Sequence, residues 1–211
     1  GWSLAILGAL EPKLSTEAQT RGEDAVAEFL DYLRVLVADR RARPGDPERD
    51  VLTRLIAGEP GSDERLSETE LLQNCIFILN AGHETTTNLI GNGLELLLRF
   101  PDQRRRLIDD PSLIRTAIEE FLRYESSNQL GNRSVAIDTV LDGVALPKGT
   151  LITLGIGAAN RDPDVFADPD RLDIARAPNR HLAFASGPHI CAGLALARLE
   201  GRIAIGRFLQ R

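Results

Sequence analysis

Hydrophobic residues recur at helical spacing through much of the first part of the chain. From residue 15 to residue 43, apolar side chains return every three or four positions, which predicts one long helix with Ser15 as its N-cap. A proline-glycine segment ends this helix. A shorter helix is predicted over residues 48–57, and residues 58–65 are predicted to form a polar loop.

A second long helix is predicted over residues 67–99. Ser67 and Glu70 have the spacing of a capping box, in which each side chain bonds to the backbone N–H of the other residue. Residues 71–79 are apolar on most sides, so we expect this part of the helix to be buried. Residues 80–88 then place a glycine and several β-branched or polar residues inside it, and such breaks of local rules cluster at functional sites.

The pattern changes after two further short helices, which are predicted over residues 101–109 and 111–125. Apolar residues alternate around an Asp-Gly turn at 142–143, which is typical of a β-hairpin, and residues 150–154 are predicted to form another strand. Residues 160–183 are expected to be irregular but ordered, and a final helix closes the chain. The predicted fold class is therefore mainly α with a small β-sheet.

Composition narrows the class of protein. The 211 residues carry a formal net charge of -6, which argues against a nucleic-acid partner. The chain contains two cysteines, too few for a disulfide framework, and this favours a cytoplasmic location. It contains no apolar run of about 18 residues, so no membrane segment is expected.

The strongest candidate for chemistry is the lone Cys191, which lies between glycines just before the final helix. A helix N-terminus offers free N–H groups and a partial positive charge, and both favour thiolate over thiol. A buried structural cysteine is the commoner explanation of a lone cysteine. A nucleophile–base pair with His189 is disfavoured because residues two apart point poorly at each other. A zinc site needs three or four ligands, and no such cluster is evident.

Residues 184–193 resemble the cytochrome P-450 haem-binding signature, Phe-Gly-x-Gly-x-His/Arg-x-Cys-x-Gly. Ala185 stands where that family usually has glycine, which would strain the loop if this position needs a positive φ. The resemblance implies haem b as the cofactor, with Cys191 as the thiolate ligand of the iron, which favours cleavage of the O–O bond. It also implies that four further residues of the loop bind the cofactor: Phe184, Gly187, His189 and Gly193.

Residues 81–85 are similar to the oxygen-activation motif of the same family. Ala81 and Gly82 would let haem and dioxygen approach the helix, whose hydrogen bonds we expect to be interrupted there. The resemblance makes Glu84 and Thr85 the expected catalytic residues, because Thr85 would help to deliver protons and Glu84 would relay them from solvent. Taken alone, the threonines are explained equally well as residues that bond to carbonyls of their own helix.

Glu120 and Arg123 are three residues apart and lie on one helix face as a predicted ion pair. Taken alone, this is equally a surface pair of little energetic value. The resemblance identifies the two as the Glu-x-x-Arg motif, which pairs with an arginine in the segment before the cysteine loop. Arg171, Arg176 and Arg180 are the candidates for that arginine.

The resemblance also implies residues that contact the haem propionates and the substrate. Arg133, together with His189, is expected to bind a propionate, since this anionic group favours cationic or hydrogen-bonding partners. Gln129, Leu130 and Gly131 are expected to contact substrate.

The motifs occur in family order from about residue 15 to the end. They imply the C-terminal part of the cytochrome P-450 fold, with its long central helix, Glu-x-x-Arg helix, cysteine loop and final helix. The chain contains no methionine, and its last residues are predicted to be helical without a stop signal. We therefore expect residues 1–211 to be a single partial domain that lacks the N-terminal part and the final β region.

Two functions follow from these expectations. The first is a haem-dependent monooxygenase that hydroxylates a small organic substrate, with electrons from NAD(P)H delivered by a ferredoxin. The alternative is a truncated, inactive helical fragment that binds haem weakly or not at all and self-associates as a homo-oligomer through an exposed core.

Overall fold

A computed structural model describes residues 1–9, 15–58, 61 and 65–210. Helices predominate, with two short sheets, so the predicted fold class is confirmed. Within the described ranges, no helix combines the length and apolar content needed to cross a membrane. The α-helices are α1 Trp2–Gly8, α2 Thr16–Ala42, α3 Val51–Ala57, α4 Glu68–Arg99, α5 Pro101–Asp109, α6 Ile114–Tyr124, α7 Ile156–Ala159 and α8 Leu194–Leu209. Two 3-10 turns lie at Pro111–Leu113 and Gly187–His189.

The starts of the two long helices are set by local side-chain caps. The Ala18 N–H donates to Ser15 Oγ at 3.1 Å at the start of α2. At the start of α4, the Ser67 N–H donates to Glu70 Oε2 at 2.8 Å, and the Glu70 N–H donates to Ser67 Oγ at 3.3 Å. The predicted N-cap and capping box are both confirmed, because they depend only on residues within one turn.

The third helix begins later than its sequence pattern predicts. The Asp50 carboxylate accepts a hydrogen bond from the Leu52 N–H, so α3 begins at Val51 instead of near Glu48. The predicted polar loop after it lies mostly outside the described residues. The short helices α1 and α7 were not predicted, since seven and four residues are too few for a periodic pattern.

Two antiparallel two-stranded sheets replace the single small sheet expected. Asp142 and Gly143 have φ values of 49° and 79°, as a two-residue hairpin turn requires, so the predicted hairpin is confirmed. The other sheet pairs segments with a hairpin between them, a pairing that local sequence does not reveal. The strands are β1 Leu130–Ser134 paired with β4 Leu151–Gly155, and β2 Thr139–Leu141 paired with β3 Val144–Leu146.

The chain divides into two compact units, residues 1–84 and 85–211. In the first unit, α1, α2, α3 and the start of α4 bury an apolar core formed by Ile6, Ala25, Phe29, Leu33, Val37, Leu71 and Leu72. In the second, the rest of α4 packs with α5, α6, α8 and part of the irregular segment around a core that includes Leu89, Leu96, Leu97, Leu107, Ile118, Phe121, Ile174 and Ile205.

The apolar beginning of α4 is not buried on all sides. Leu71 and Leu72 are buried in the first unit, but Phe77, Ile78 and Leu79 are 68%, 48% and 43% exposed. The prediction of burial is therefore wrong for these three residues. A helix that is apolar all round is buried only where other elements cover it, and the core of this unit reaches α4 from one side.

The polar segment of α4 keeps the helical conformation. The helix runs without a break through residues 80–88, so the expected interruption of its hydrogen bonding does not appear as a break in the helix. Threonine and glycine have low helix propensity, but long flanking turns outweigh a few unfavourable residues.

Candidate functional site

A closed loop presents Cys191 at the start of α8. The Cys191 N–H donates to the Phe184 carbonyl at 2.9 Å, which joins the two ends of the loop. The Leu194 N–H, at the first position of α8, lies 3.3 Å from the Cys191 carbonyl oxygen. Cys191 is exposed and is not part of a disulfide, which contradicts the alternative of a buried structural cysteine.

The second cysteine provides a contrast. Cys75 is half-buried against the core of the first unit, and this burial raises the pKa of its thiol. A neutral thiol in an apolar setting is a packing residue. Of the two cysteines, Cys191 is therefore the one placed to act as a ligand.

Two residues of the loop adopt left-handed backbone conformations. Ala185 has φ 57° and Gly187 has φ 70°. Glycine adopts such angles without penalty, whereas the Cβ of alanine makes them unfavourable. The strain anticipated for Ala185 is therefore present. Gly193 borders the Cys191 side chain, because a Cβ built on it would lie 3.9 Å from Cys191 Sγ.

The two residues expected to bind propionates are both exposed in the second unit. His189 ends the 3-10 turn of the loop, and Arg133 lies on β1, where its Nη1 donates to the Asn132 carbonyl at 2.8 Å. An exposed guanidinium held only by a backbone carbonyl can reorient toward an anionic group. The placement of both side chains is compatible with propionate binding.

Glu120 and Arg123 form a buried ion pair on α6. Both side chains are 0% exposed, and Arg123 donates to both carboxylate oxygens at 2.8 Å. Arg176 is the arginine that joins them, with its Nε 3.1 Å from Glu120 Oε2. Arg171 contributes only its backbone carbonyl, which accepts from Arg176, and Arg180 is exposed. The pair is therefore not a surface pair, and Arg176 is the third member of what we call the Glu120 network.

The Glu120 network anchors the irregular segment that leads into the loop. Arg123 Nη1 donates to the carbonyls of Asn160 and Pro169 at 3.0 and 2.8 Å. The Asn160 side chain in turn accepts from the Leu182 N–H at 2.7 Å. Removing two charges from water is unfavourable, and these added hydrogen bonds offset that penalty. The network thus fixes the chain just before Phe184.

A second cluster beside the loop was missed by sequence reasoning. The Glu119 carboxylate accepts from Arg198 Nε and Nη2 at 2.7 and 2.8 Å, and His181 Nε2 lies 3.0 Å from it. The Arg198 guanidinium carbon stands 4.6 Å from the centroid of the Phe184 ring. We call these four residues the Glu119 cluster. Spacing along α6 points elsewhere, because Arg115 and Arg123 lie four residues before and after Glu119 and are nearer candidate partners.

Electrostatics keep the Glu119 carboxylate ionised. Burial alone would raise the pKa of Glu119, but hydrogen bonds and charges from His181 and Arg198 outweigh it and lower this pKa to about 2. Hydrogen bonding to Glu119 raises the pKa of Arg198 against the effect of burial, and the charges of Glu119 and Cys191 add to the increase. The Glu119 carboxylate and the Arg198 guanidinium therefore stabilise each other as charged groups.

The motif on α4 is exposed. Residues 81–85 are all accessible, and a Cβ built on Gly82 would meet nothing within 4 Å. His83 Nδ1 lies 3.0 Å from Ser3 Oγ, so it makes a polar contact inside the first unit. Ala81, Gly82 and Glu84 belong to the first unit, whereas Thr85 begins the second, so their roles toward a cofactor stay predictions.

The three residues predicted to contact substrate lie at the start of β1. Gln129 Nε2 donates to the Ser126 carbonyl at 2.9 Å, which holds its side chain against the end of α6. Leu130 is 59% exposed, and Gly131 lies against Ile156. Their role in substrate binding stays a prediction. Across the described residues, no group of three or more His, Cys, Asp and Glu side chains has the arrangement of a metal site. The candidate chemistry therefore rests on the single side chain of Cys191.

Comparison with known proteins agrees with this geometry. The family model for cytochrome P-450 matches residues 6–111 and 108–211. The chain is 40% identical over 210 residues to a biotin biosynthesis cytochrome P-450 of Bacillus subtilis (strain 168), covering 100% of this chain and 52% of that protein. It is 46% identical over 211 residues to cytochrome P-450 107B1 of Saccharopolyspora erythraea, covering 100% of this chain and 49% of that protein.

Comparison of the fold with solved structures indicates the same family. The crystal structure of P-450BioI in complex with acyl carrier protein ligated to hexadec-9Z-enoic acid matches with a TM-score of 0.92 at 40% identity, covering 99% of this chain and 53% of that one. The chain thus spans about half the length of the relatives it matches. Because the family match extends over nearly all of its residues and is supported by the fold, the chain belongs to the cytochrome P-450 family.

Proposed function

We propose that this chain supplies the thiolate-ligand part of a haem-dependent monooxygenase. Members of the cytochrome P-450 family use haem b as their cofactor. The observation that carries the proposal is the exposed Cys191, held at a helix start by a loop that closes on Phe184. Free cysteines are usually buried, so a cysteine that is kept accessible in a braced loop is suited to bind a metal.

The residues of the second unit fit the cofactor. Cys191 would bind the iron as thiolate, and Gly187 and Gly193 keep the backbone around it compact. Arg133 and His189, both exposed, would bind the propionates through charge-assisted hydrogen bonds. Phe184 would shield the sulfur from water. When bound, the haem supplies oxygen activation, which a thiolate ligand promotes by pushing electron density onto the iron.

The α4 motif would supply protons. Glu84 is exposed, so its carboxylate can exchange protons with solvent. Thr85 follows it directly on the helix, and its hydroxyl can donate a hydrogen bond and pass a proton on. Ala81 and Gly82 present little side-chain bulk, as the proposed approach of haem and dioxygen to the helix requires.

The proposed reaction inserts one oxygen atom from dioxygen into a small organic substrate. Two electrons from NAD(P)H, delivered through a ferredoxin, and two protons reduce the other oxygen atom to water. Gln129, Leu130 and Gly131 are proposed to contact the substrate, and the proposed location is the cytoplasm. The relatives support this class of reaction, since they include a cytochrome P-450 of biotin biosynthesis.

Reconstitution with haem tests the proposal. The purified chain is incubated with haem, reduced and treated with carbon monoxide, and the difference spectrum is recorded. We expect a strongly red-shifted Soret band, which is characteristic of thiolate ligation. Cys191→Ser should abolish this band, whereas Cys75→Ser, the matched control in the first unit, should retain it. A band of the histidine-ligated or neutral-thiol type, or no haem uptake, would overturn the proposal for this chain.

A further inference from the structure

The Glu119 cluster joins three parts of the second unit at the cysteine loop. Glu119 lies on α6, Arg198 lies on α8, and His181 and Phe184 lie on the segment that enters the loop. Arg198 follows Cys191 by seven residues, about two helical turns. Long side chains on a helix point back toward its N-terminus, which directs the guanidinium of Arg198 toward the loop.

Phe184 connects this cluster to the ligand through two different groups. Its ring lies under the Arg198 guanidinium, at 4.6 Å, and its centroid lies 5.9 Å from that of the His181 ring. Its carbonyl accepts the Cys191 N–H at 2.9 Å. A cation over an aromatic face is attractive, and a partly desolvated one more so. The cluster that holds the Phe184 ring therefore acts on the same residue whose carbonyl accepts the Cys191 N–H.

We propose that Glu119 is a positioning residue for the Cys191 ligand, which acts by holding Arg198 against Phe184. This inference rests on the proposed function of Cys191. The two hydrogen bonds from Arg198 to Glu119 are parallel and charge-assisted, the strongest geometry available to this pair. The Arg198 side chain is 32% exposed, so without Glu119 it is free to turn into solvent and uncover the ring.

The ordinary alternative is a pair that only ties α6 to α8. Such a pair would change global stability but would not act specifically at Cys191. Two contacts favour a role at the ligand. The Arg198 guanidinium carbon lies 4.6 Å from the centroid of the Phe184 ring, and the carbonyl of Phe184 accepts the Cys191 N–H. In addition, the Ala183 N–H lies 3.3 Å from His181 Nδ1, so the histidine that contacts Glu119 also contacts the backbone next to Phe184.

The experiment has one readout without haem and one with it. In the haem-free chain, the hydrogen-exchange rate of the Cys191 amide is measured by NMR and compared with that of the buried core amide of Ile118. In the haem-loaded chain, the reduced carbon monoxide complex is used to measure the fraction of bound haem that gives the Soret band of thiolate ligation. The variants are Glu119→Gln, which keeps the shape but removes the charge, Arg198→Lys, and Glu200→Gln as an exposed control on α8.

Glu119→Gln should raise Cys191 amide exchange by about tenfold relative to Ile118, the ratio expected when one charge-assisted contact is lost. The same variant should lower the thiolate-type fraction. Arg198→Lys keeps the charge but loses the parallel bonds and the planar stacking, so it should shift both readouts in the same direction by less. Glu200→Gln should shift neither.

A double-mutant cycle tests whether the effect of Glu119 on Cys191 depends on Phe184. If Glu119 acts through Phe184, then Glu119→Gln should have little further effect on Cys191 exchange when Phe184→Leu is already present. Additive effects, or unchanged Cys191 exchange in Glu119→Gln, would overturn the proposal. If Glu119→Gln fails to fold, Arg198→Lys supplies the same comparison. A wild-type chain without a thiolate-type band would refute the proposed function, while the exchange data would still decide whether Glu119 positions the loop.

Discussion

Two neighbouring carboxylates on α6 hold two different parts of the molecule. Glu120 is fully buried and binds Arg123 and Arg176, which anchor the irregular segment before the cysteine loop. The Glu119 side chain is 26% exposed and binds Arg198 and His181 beside the loop itself. Successive positions on a helix are about 100° apart, so adjacent residues of the same type face different partners.

The difference in burial predicts different roles for the two carboxylates, one in the stability of the fold and the other in the position of Cys191. In a fully buried ion pair each charged group needs the other, because a buried charge left alone strongly destabilises the fold. A partly exposed pair near a functional group contributes less to the free energy of unfolding and more to the position of that group. We therefore expect changes at the Glu120 network to unfold the chain and changes at the Glu119 cluster to affect Cys191.

The largest expected effect is that of Glu120→Gln. It leaves the buried Arg123 without its counter-charge, which should lower the free energy of unfolding by about 3–5 kcal/mol. Chemical denaturation followed by circular dichroism measures this loss. Glu200→Gln, at an exposed position, should change stability by less than about 0.5 kcal/mol. Equal losses in Glu120→Gln and Glu119→Gln would contradict the distinction between the two carboxylates.

Arg176→Ala should have the next largest effect, about 2–3 kcal/mol, because its side chain is 12% exposed and bonds both to Glu120 and to backbone carbonyls such as that of Ala167. The matched control is Arg180→Ala, four residues later and exposed, which should be nearly neutral. Thermal and urea unfolding measure the loss of stability in each of the two variants. A larger loss for Arg180→Ala would show that Arg176 is not the third member of the Glu120 network.

Glu119 should make stability depend on pH in the acidic range. Its pKa is about 2 in the folded chain, below its ordinary value of 4.5, so its ionised form stabilises the fold. This contribution is complete above pH 4.5 and is lost as the pH falls from 4.5 toward 2. At neutral pH Glu119→Gln should cost about 2 kcal/mol, a value reduced for partial exposure. Unfolding of wild type and variant between pH 6 and pH 3 measures the difference, which should narrow as the pH falls.

The smallest expected effect is a gain in stability. Ala185→Gly removes a Cβ from a left-handed residue with φ 57°, at the price of a more flexible unfolded chain. The net stabilisation should be about 0.5–1 kcal/mol. A shift of the urea midpoint to higher concentration measures it. Ala192→Gly, in the same loop but without a positive φ, should not stabilise the chain.

Features set by local sequence were predicted well. The caps at Ser15 and Ser67, the hairpin turn at 142–143 and the two long helices all depend on residues within one or two turns of each other. The burial of residues 77–79 was predicted wrongly, because burial depends on which other elements cover a helix. The β1–β4 pairing was not predicted for the same reason, since its strands are separated by a hairpin.

The sequence by itself determined the two long helices, the position of the cysteine loop before the final helix, and the family, because each depends on the order of nearby residues. Only the tertiary structure decided that Arg176 completes the Glu120 network, that Glu119 faces Arg198 and the loop, and that Cys191 is exposed. These partners are separated by 56 and 79 positions along the chain. Contacts at such separations form only when packing brings the elements together, and no local pattern encodes them.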